Sequence, residues 1–117
     1  MDINNDKSEK APDKLKGQVI KLANLIDYQE GTIVSRTIID KQAGTLTLFA
    51  FDKDQGLSEH MAPFDTLVYI LDGDGDVTIS GRTLTLRQGE TVIMPANRPH
   101  SLRATSRFKM MLVMIKS

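Results

Sequence analysis

Short β-strand runs, each followed closely by turn residues, dominate the sequence from Gln18 onward. Several runs alternate apolar and polar residues, as strands with one buried face do, and others are apolar on both faces. The predicted strand runs are 45–51, 67–71, 77–80, 83–86, 91–94 and 108–115, and the turn residues between them are Gly44, Gly56, 72–75, Gly81, Gly89 and 95–99. Many short strands with regular turns favour an all-β fold, either a sandwich or a small barrel.

Three local patterns refine this prediction. The alternating runs on either side of Gly81 and Arg82 predict a hairpin that turns at these two residues. The stretch 72–76 alternates aspartate and glycine, and it reads as a solvated hairpin turn because it lacks the glutamate of a calcium loop. Helical spacing of apolar residues occurs at 19–28, where a strand fits equally well.

The length of 117 residues suits one domain. Residues 1–17 mix lysines with acidic residues, contain Pro12 and offer little to bury. A segment of this kind cannot offset its own ordering entropy, so a flexible N-terminal arm is predicted over 1–17 and the folded domain over 18–117.

Charge and cysteine content exclude several classes of protein. Fifteen basic and fifteen acidic residues give a formal net charge of zero, which argues against nucleic-acid and anionic-membrane partners. The absence of cysteine excludes disulfides and thiolate chemistry. No apolar run is long enough to span a bilayer, and the N-terminus has no apolar stretch of the secretory kind. The expectation is a soluble cytoplasmic protein.

Two histidines, His60 and His100, carry the most chemical information in the chain. His100 follows Gly89 and Pro95 at a spacing that resembles the second motif of the cupin superfamily, and Asn97 replaces that motif's internal glycine. Pro95 is expected to end a strand, Asn97 to adopt a left-handed backbone, and His100 to open the next strand. The first cupin motif, aligned on its closing Gly73, places its first histidine on His60. The resemblance covers roughly 45–115 and implies an all-β, double-stranded β-helix (jelly-roll) barrel.

The same alignment shows where the chain departs from the family. Cupins of this type hold a divalent metal on three histidines and one carboxylate. Ala62 and Thr66 occupy two of these four positions, and Asp65 is expected to point to the opposite face of its strand. The resemblance therefore leaves His60 and His100 as the metal ligands of a weakened site for manganese, iron, nickel or zinc.

Two functions remain open after these departures. In the first, the barrel binds a small molecule through His60, Thr66, Arg98 and His100, with Arg98 pairing with a carboxylate of the ligand, and the metal site is absent or weak. In the second, the chain is a metal-dependent cupin enzyme of the dioxygenase, isomerase or decarboxylase type that uses His60 and His100. The ligand is unknown in both, and no catalytic residue is assigned.

The strands that are apolar on both faces also bear on assembly. A small barrel cannot cover both faces of 67–71 and 110–115 from its interior. Cupins of this size commonly dimerise through a sheet face, so the prediction is a two-fold symmetric homodimer in which residues near 19–26 cross to the partner.

Overall fold

The computed structural model describes residues 14–116. These residues include a 3₁₀ turn at Leu22–Leu25, which is followed by eight β-strands. The strands are β1 (Ile33–Lys41), β2 (Gly44–Phe51), β3 (Gly56–His60), β4 (Thr66–Ile79), β5 (Arg82–Arg87), β6 (Thr91–Met94), β7 (His100–Arg103) and β8 (Phe108–Ile115). The all-β prediction is confirmed, and the region with helical spacing contains one short 3₁₀ turn.

The strands form two antiparallel sheets that share β4. The first sheet has the order β1-β2-β8-β4-β6, and it uses the first half of β4. The second sheet has the order β5-β4-β7-β3, and it uses the second half of β4. Because β4 runs from one sheet into the other, the structure curls into a barrel. In the second sheet, β7 lies between β4 and β3.

The prediction of a solvated turn at 72–76 is wrong. These residues continue β4 without a break, and the pairing with β8 shifts register between Ile70 and Asp72. Gly73, just after this bulge, has a φ of 72°, so the glycine lets the strand bend as it leaves the first sheet. The chain reverses instead at Ser80 and Gly81, both with positive φ, one residue earlier than predicted. Two consecutive left-handed residues are typical of a tight hairpin turn that follows the strand twist.

The interior of the barrel holds a continuous hydrophobic core. The rings of Phe51 and Phe108 stack with centroids 4.5 Å apart, and both residues are fully buried. Gly75 lies beneath this stack, where an added Cβ would come within 2.8 Å of the Phe108 ring. The buried members of this core are Phe51, Val68, Ile70, Val77, Leu86, Met94, Leu102, Ala104, Phe108 and Met110.

A second apolar cluster lies on the outer face of the first sheet. Leu48 and Ala50 of β2 point away from the barrel interior and pack with Ile26, which is buried against the strands of its own chain. Tyr28 holds the N-terminal segment that contains Ile26 against the sheet. Its hydroxyl donates a hydrogen bond to Asp72 at 2.6 Å, and the Lys109 ammonium lies 5.0 Å from its ring centroid. The N-terminal segment therefore covers part of the two-faced strands from within one chain.

The predicted flexible arm falls mainly on residues 1–13, which lie outside the described residues. Leu15 already packs against the outer cluster. Within residues 14–116, no helix has the length and apolar character needed to cross a bilayer. A cytoplasmic location stays a prediction of the sequence.

Candidate functional site

The ends of two neighbouring strands place the two histidines side by side. β3 ends at His60, β7 begins at His100, and the two residues are Cα partners across the strand pair. The approach to His100 follows the sequence prediction: β6 ends at Met94 directly before Pro95, and Asn97 has a φ of 62°. A bulge between Leu57 and His60 adjusts the register on the other strand.

The two imidazoles meet through the same ring nitrogen. Nε2 of His60 and Nε2 of His100 are 3.1 Å apart, and the rings cross at 72°. Each Nδ1 faces the carbonyl oxygen two residues earlier in the chain. These contacts are 2.9 Å from His60 to Ser58 and 3.2 Å from His100 to Arg98. A carbonyl oxygen can only accept, so this geometry assigns a proton to each Nδ1 and a lone pair to each Nε2.

The two histidines differ in burial, and burial affects the pKa of His100. His100 is only 4% exposed, whereas His60 is exposed. Burial lowers the pKa of His100, the neighbouring His60 lowers it further, and the Arg98 carbonyl opposes both effects. Burial and the neighbouring ring therefore favour the neutral form of His100.

The histidines form one wall of a cavity of about 150 Å³ inside the barrel. Thr66 is almost fully buried in the same wall, and its hydroxyl donates to the Phe64 carbonyl at 3.3 Å. Seven apolar residues complete the lining: Phe49, Leu57, Ala62, Met94, Leu102, Leu112 and Met114. The cavity is thus apolar except for two imidazoles and one hydroxyl, which is the usual form of a small-molecule site.

Two further residues singled out in the sequence lie elsewhere. Asp65 is exposed, and its carboxylate accepts a hydrogen bond from the Ala96 amide at 2.9 Å instead of facing the cavity. Arg98 is also exposed and is not part of the cavity lining. Its backbone carbonyl orients His100, and a contact between its guanidinium and a ligand stays a prediction.

Comparison with known proteins decides the family. The family model described as "Cupin domain" matches residues 47–116. The chain belongs to the cupin family. Ala62 and Thr66, which stand at two ligand positions of the cupin motif, lie with both histidines in the lining of one cavity, as the motif alignment requires.

Similar solved structures agree with this assignment. A conserved protein of unknown function from Streptococcus pyogenes is 35% identical with a TM-score of 0.82, over 86% of this chain and 89% of that one. A cupin 2 conserved barrel domain protein from Leptotrichia buccalis is 39% identical with a TM-score of 0.81, over 83% of this chain and 47% of that one. A cupin superfamily protein from Desulfitobacterium hafniense is 25% identical with a TM-score of 0.82, over 87% of this chain and 94% of that one. No curated protein sequence matches significantly.

The donor set of this cupin suits at most an open metal site. Across residues 14–116, no three side chains of histidine, aspartate or glutamate come together in a metal-binding group. The two Nε2 lone pairs converge, and carbonyl hydrogen bonds to Nδ1 are the usual way of orienting histidine ligands. His60 and His100 therefore fit as two ligands, with water or a bound molecule supplying the rest.

Sequence reasoning missed part of the cavity wall. It did not single out Leu57, Leu102 or Leu112. Leu57 and Leu102 are Cα partners on the strands that carry the histidines, so strand pairing was the available signal.

Proposed function

We propose that this cupin binds a small, largely apolar molecule inside its barrel, with His60 and His100 as the polar end of the site. The observation that carries the proposal is a cavity in which two converging imidazoles interrupt an otherwise almost wholly apolar lining. Apolar walls supply the binding free energy, and a few placed polar groups fix the orientation of the ligand.

The size of the cavity limits the ligand. An apolar cavity of about 150 Å³ is large enough for a benzene-sized molecule in other proteins. A ligand of roughly six to ten non-hydrogen atoms fits such a volume, and its affinity is modest without further contacts. The natural ligand in this proposal is therefore a compact molecule, not a sugar chain or a nucleotide.

The alternative is a metal-dependent reaction at the same two histidines. A divalent ion bound there would act as a Lewis acid toward a ligand oxygen. The protein's own contribution would be to hold two Nε2 atoms in place through the Ser58 and Arg98 carbonyls and to exclude water with apolar walls. Two protein ligands instead of four favour the binding function over the dioxygenase, isomerase or decarboxylase alternative.

Calorimetric or NMR titration with toluene tests the binding function. The expected dissociation constant is on the order of 1 mM, equivalent to about 4 kcal/mol. Ala62→Phe places a ring inside the cavity and should abolish binding. Ile93→Phe adds the same ring to a residue that is 58% exposed on the outer surface, so binding should be unchanged. Equal toluene binding by wild type and Ala62→Phe would contradict the proposal.

The homodimer is proposed on a separate observation, a row of aliphatic side chains across the outer face of the first sheet. The outer row contains one residue from each of five strands, in direct register: Ile39, Leu46, Val113, Leu67 and Ile93. Ile39 and Ile93 are exposed at the two ends of the row. A symmetric partner would bury this row against its own copy.

Light scattering at micromolar concentration tests the assembly. Wild type should have twice the mass of one chain. Leu67→Lys places a charge in the middle of the outer row and should give monomers. Arg82→Glu, in the hairpin of the second sheet, changes charge away from the row and should leave the dimer intact. A monomeric wild type would overturn the dimer without affecting the cavity.

A further inference from the structure

Two neutral imidazoles have one N–H fewer than the contacts of this histidine pair require. Three contacts each need one N–H: Nδ1 of His60 to the Ser58 carbonyl, Nδ1 of His100 to the Arg98 carbonyl, and Nε2 to Nε2. Two neutral imidazoles carry only two N–H groups between them. With both Nδ1 atoms protonated, two lone pairs face each other at 3.1 Å, and no arrangement of the two protons satisfies all three contacts.

The missing hydrogen-bond donor matters most for Nε2 of His100, because this residue is buried. His60 is exposed, so its Nε2 can turn toward water. His100 is 4% exposed, and the partner that the structure gives its Nε2 is the lone pair of His60. A buried acceptor without a donor is unfavourable. The nitrogen that needs a donor therefore lies in the wall of the cavity itself.

The third polar group of the wall does not supply that proton. The hydroxyl of Thr66 donates to the Phe64 carbonyl and leaves only its own lone pairs for the cavity. The remaining lining residues have no polar side chain. The polar end of the cavity thus accepts hydrogen bonds from a ligand and offers none.

We infer that the ligand is a compact apolar molecule with a hydroxyl group, which donates its proton to Nε2 of His100. The inference rests on the proposed small-molecule function and names its ligand class. A hydroxyl supplies the one missing proton, while His60 turns to solvent or accepts from water. A ligand whose polar group only accepts, such as a ketone or a nitrile, would place lone pairs against lone pairs.

Three probes of similar size separate the ligand classes: phenol, toluene and benzonitrile. Binding is measured by NMR titration at pH 8, which is above the ordinary pKa of imidazole and below that of a phenol, in the presence of a chelator. Phenol should bind roughly three- to tenfold more tightly than toluene, because it completes a hydrogen bond to a buried acceptor. Benzonitrile should bind at least several-fold more weakly than toluene.

The outcomes distinguish this inference from the proposed function. Saturable binding of all three probes with benzonitrile or toluene equal to phenol would overturn the hydroxyl inference and leave the cavity function standing. Failure of all three probes to bind would overturn both. His100→Phe keeps an aromatic ring but removes the acceptor, so the preference for phenol over toluene should disappear.

A spectroscopic measurement on wild type avoids dependence on that variant, which alters a buried position. In protein labelled with ¹⁵N-histidine, phenol should shift the Nε2 resonance of His100 while its Nδ1 remains protonated. Toluene should leave the protonation pattern of both rings unchanged. A phenol-bound spectrum with an unperturbed Nε2 of His100 would overturn the inference.

Discussion

Restoring the missing ligands tests whether the cavity keeps the geometry of a cupin metal site. The perturbation is the double substitution Ala62→His with Thr66→Glu, at two residues that line the cavity together with both histidines. Full structural zinc sites gain about 10–16 kcal/mol. An equal share per ligand leaves roughly 5–8 kcal/mol for two imidazoles, which corresponds to dissociation constants of about 10⁻⁴ to 10⁻⁶ M. The double variant should bind zinc or manganese at least about a hundredfold more tightly than wild type.

Stability gives a second measure of the same change. Thr66 is 2% exposed, so a glutamate there is a buried carboxylate and should destabilise the metal-free variant by about 1–3 kcal/mol or more. Metal at a hundredfold excess over its dissociation constant returns about 2.7 kcal/mol, which raises the Tm by roughly 10–20 °C for a domain of this size. Wild type should shift by far less at the same metal concentration.

Isothermal titration and thermal melts of three proteins decide the matter. The matched control combines Ala62→His with Thr66→Gln, which keeps the side-chain volume but removes the carboxylate. It should fall between wild type and the double variant in metal affinity. Equal affinities in all three folded proteins would refute the reasoning, because the four positions would not converge. Tight stoichiometric binding by wild type would also refute it, because the chain would hold ligands other than the two histidines.

Two further predictions concern stability. Gly75→Ala should lower the free energy of unfolding by about 1–3 kcal/mol, because its Cβ would overlap the buried ring of Phe108. In urea denaturation the control Asp74→Ala, at an exposed neighbouring residue, should change this free energy by less than about 0.5 kcal/mol. Equal effects of the two substitutions would contradict the packing argument. A hydrogen bond from the Arg107 guanidinium lowers the pKa of Asp52 from 3.8 to about 2, so this carboxylate stabilises the fold above about pH 4 and loses that contribution as the pH falls toward 2. Asp52→Asn should therefore be less stable than wild type in urea at pH 6, with a difference that shrinks between pH 4 and pH 2, and a constant difference would rule out the linkage.

Much of the fold was predictable because strand pattern and motif spacing are local properties. The short strand runs correctly predicted β5, β6 and β8, and the cupin resemblance predicted the barrel. The prediction of a turn at 72–76 was wrong, because it relied on aspartate and glycine being usual turn residues. Here Gly73 permits a bend in β4 just after a bulge, and Gly75 permits close packing against a phenylalanine on β8. Both roles depend on neighbours distant in sequence, so a single-sequence pattern cannot show them.

The site divides in the same way between local and tertiary information. The spacing around Pro95 and Asn97 predicted where His100 begins its strand, and motif alignment predicted that it meets His60. The choice of Nδ1 as the proton-bearing nitrogen was not predictable. It depends on carbonyl groups of Ser58 and Arg98 that the strand ends aim at each ring.

The measurement that tests the central claim most directly is methyl NMR of wild-type protein during a phenol titration. The account predicts saturable shifts for the methyl groups of Leu57, Leu102 and Met114, which line the cavity beside the histidines. The methyl groups of Leu48, in the outer cluster, and Ile93, in the outer row, should not move. Saturable shifts confined to the cavity would support a small-molecule site in the barrel. Shifts confined to the outer face, or no saturable shift at any methyl group, would contradict it.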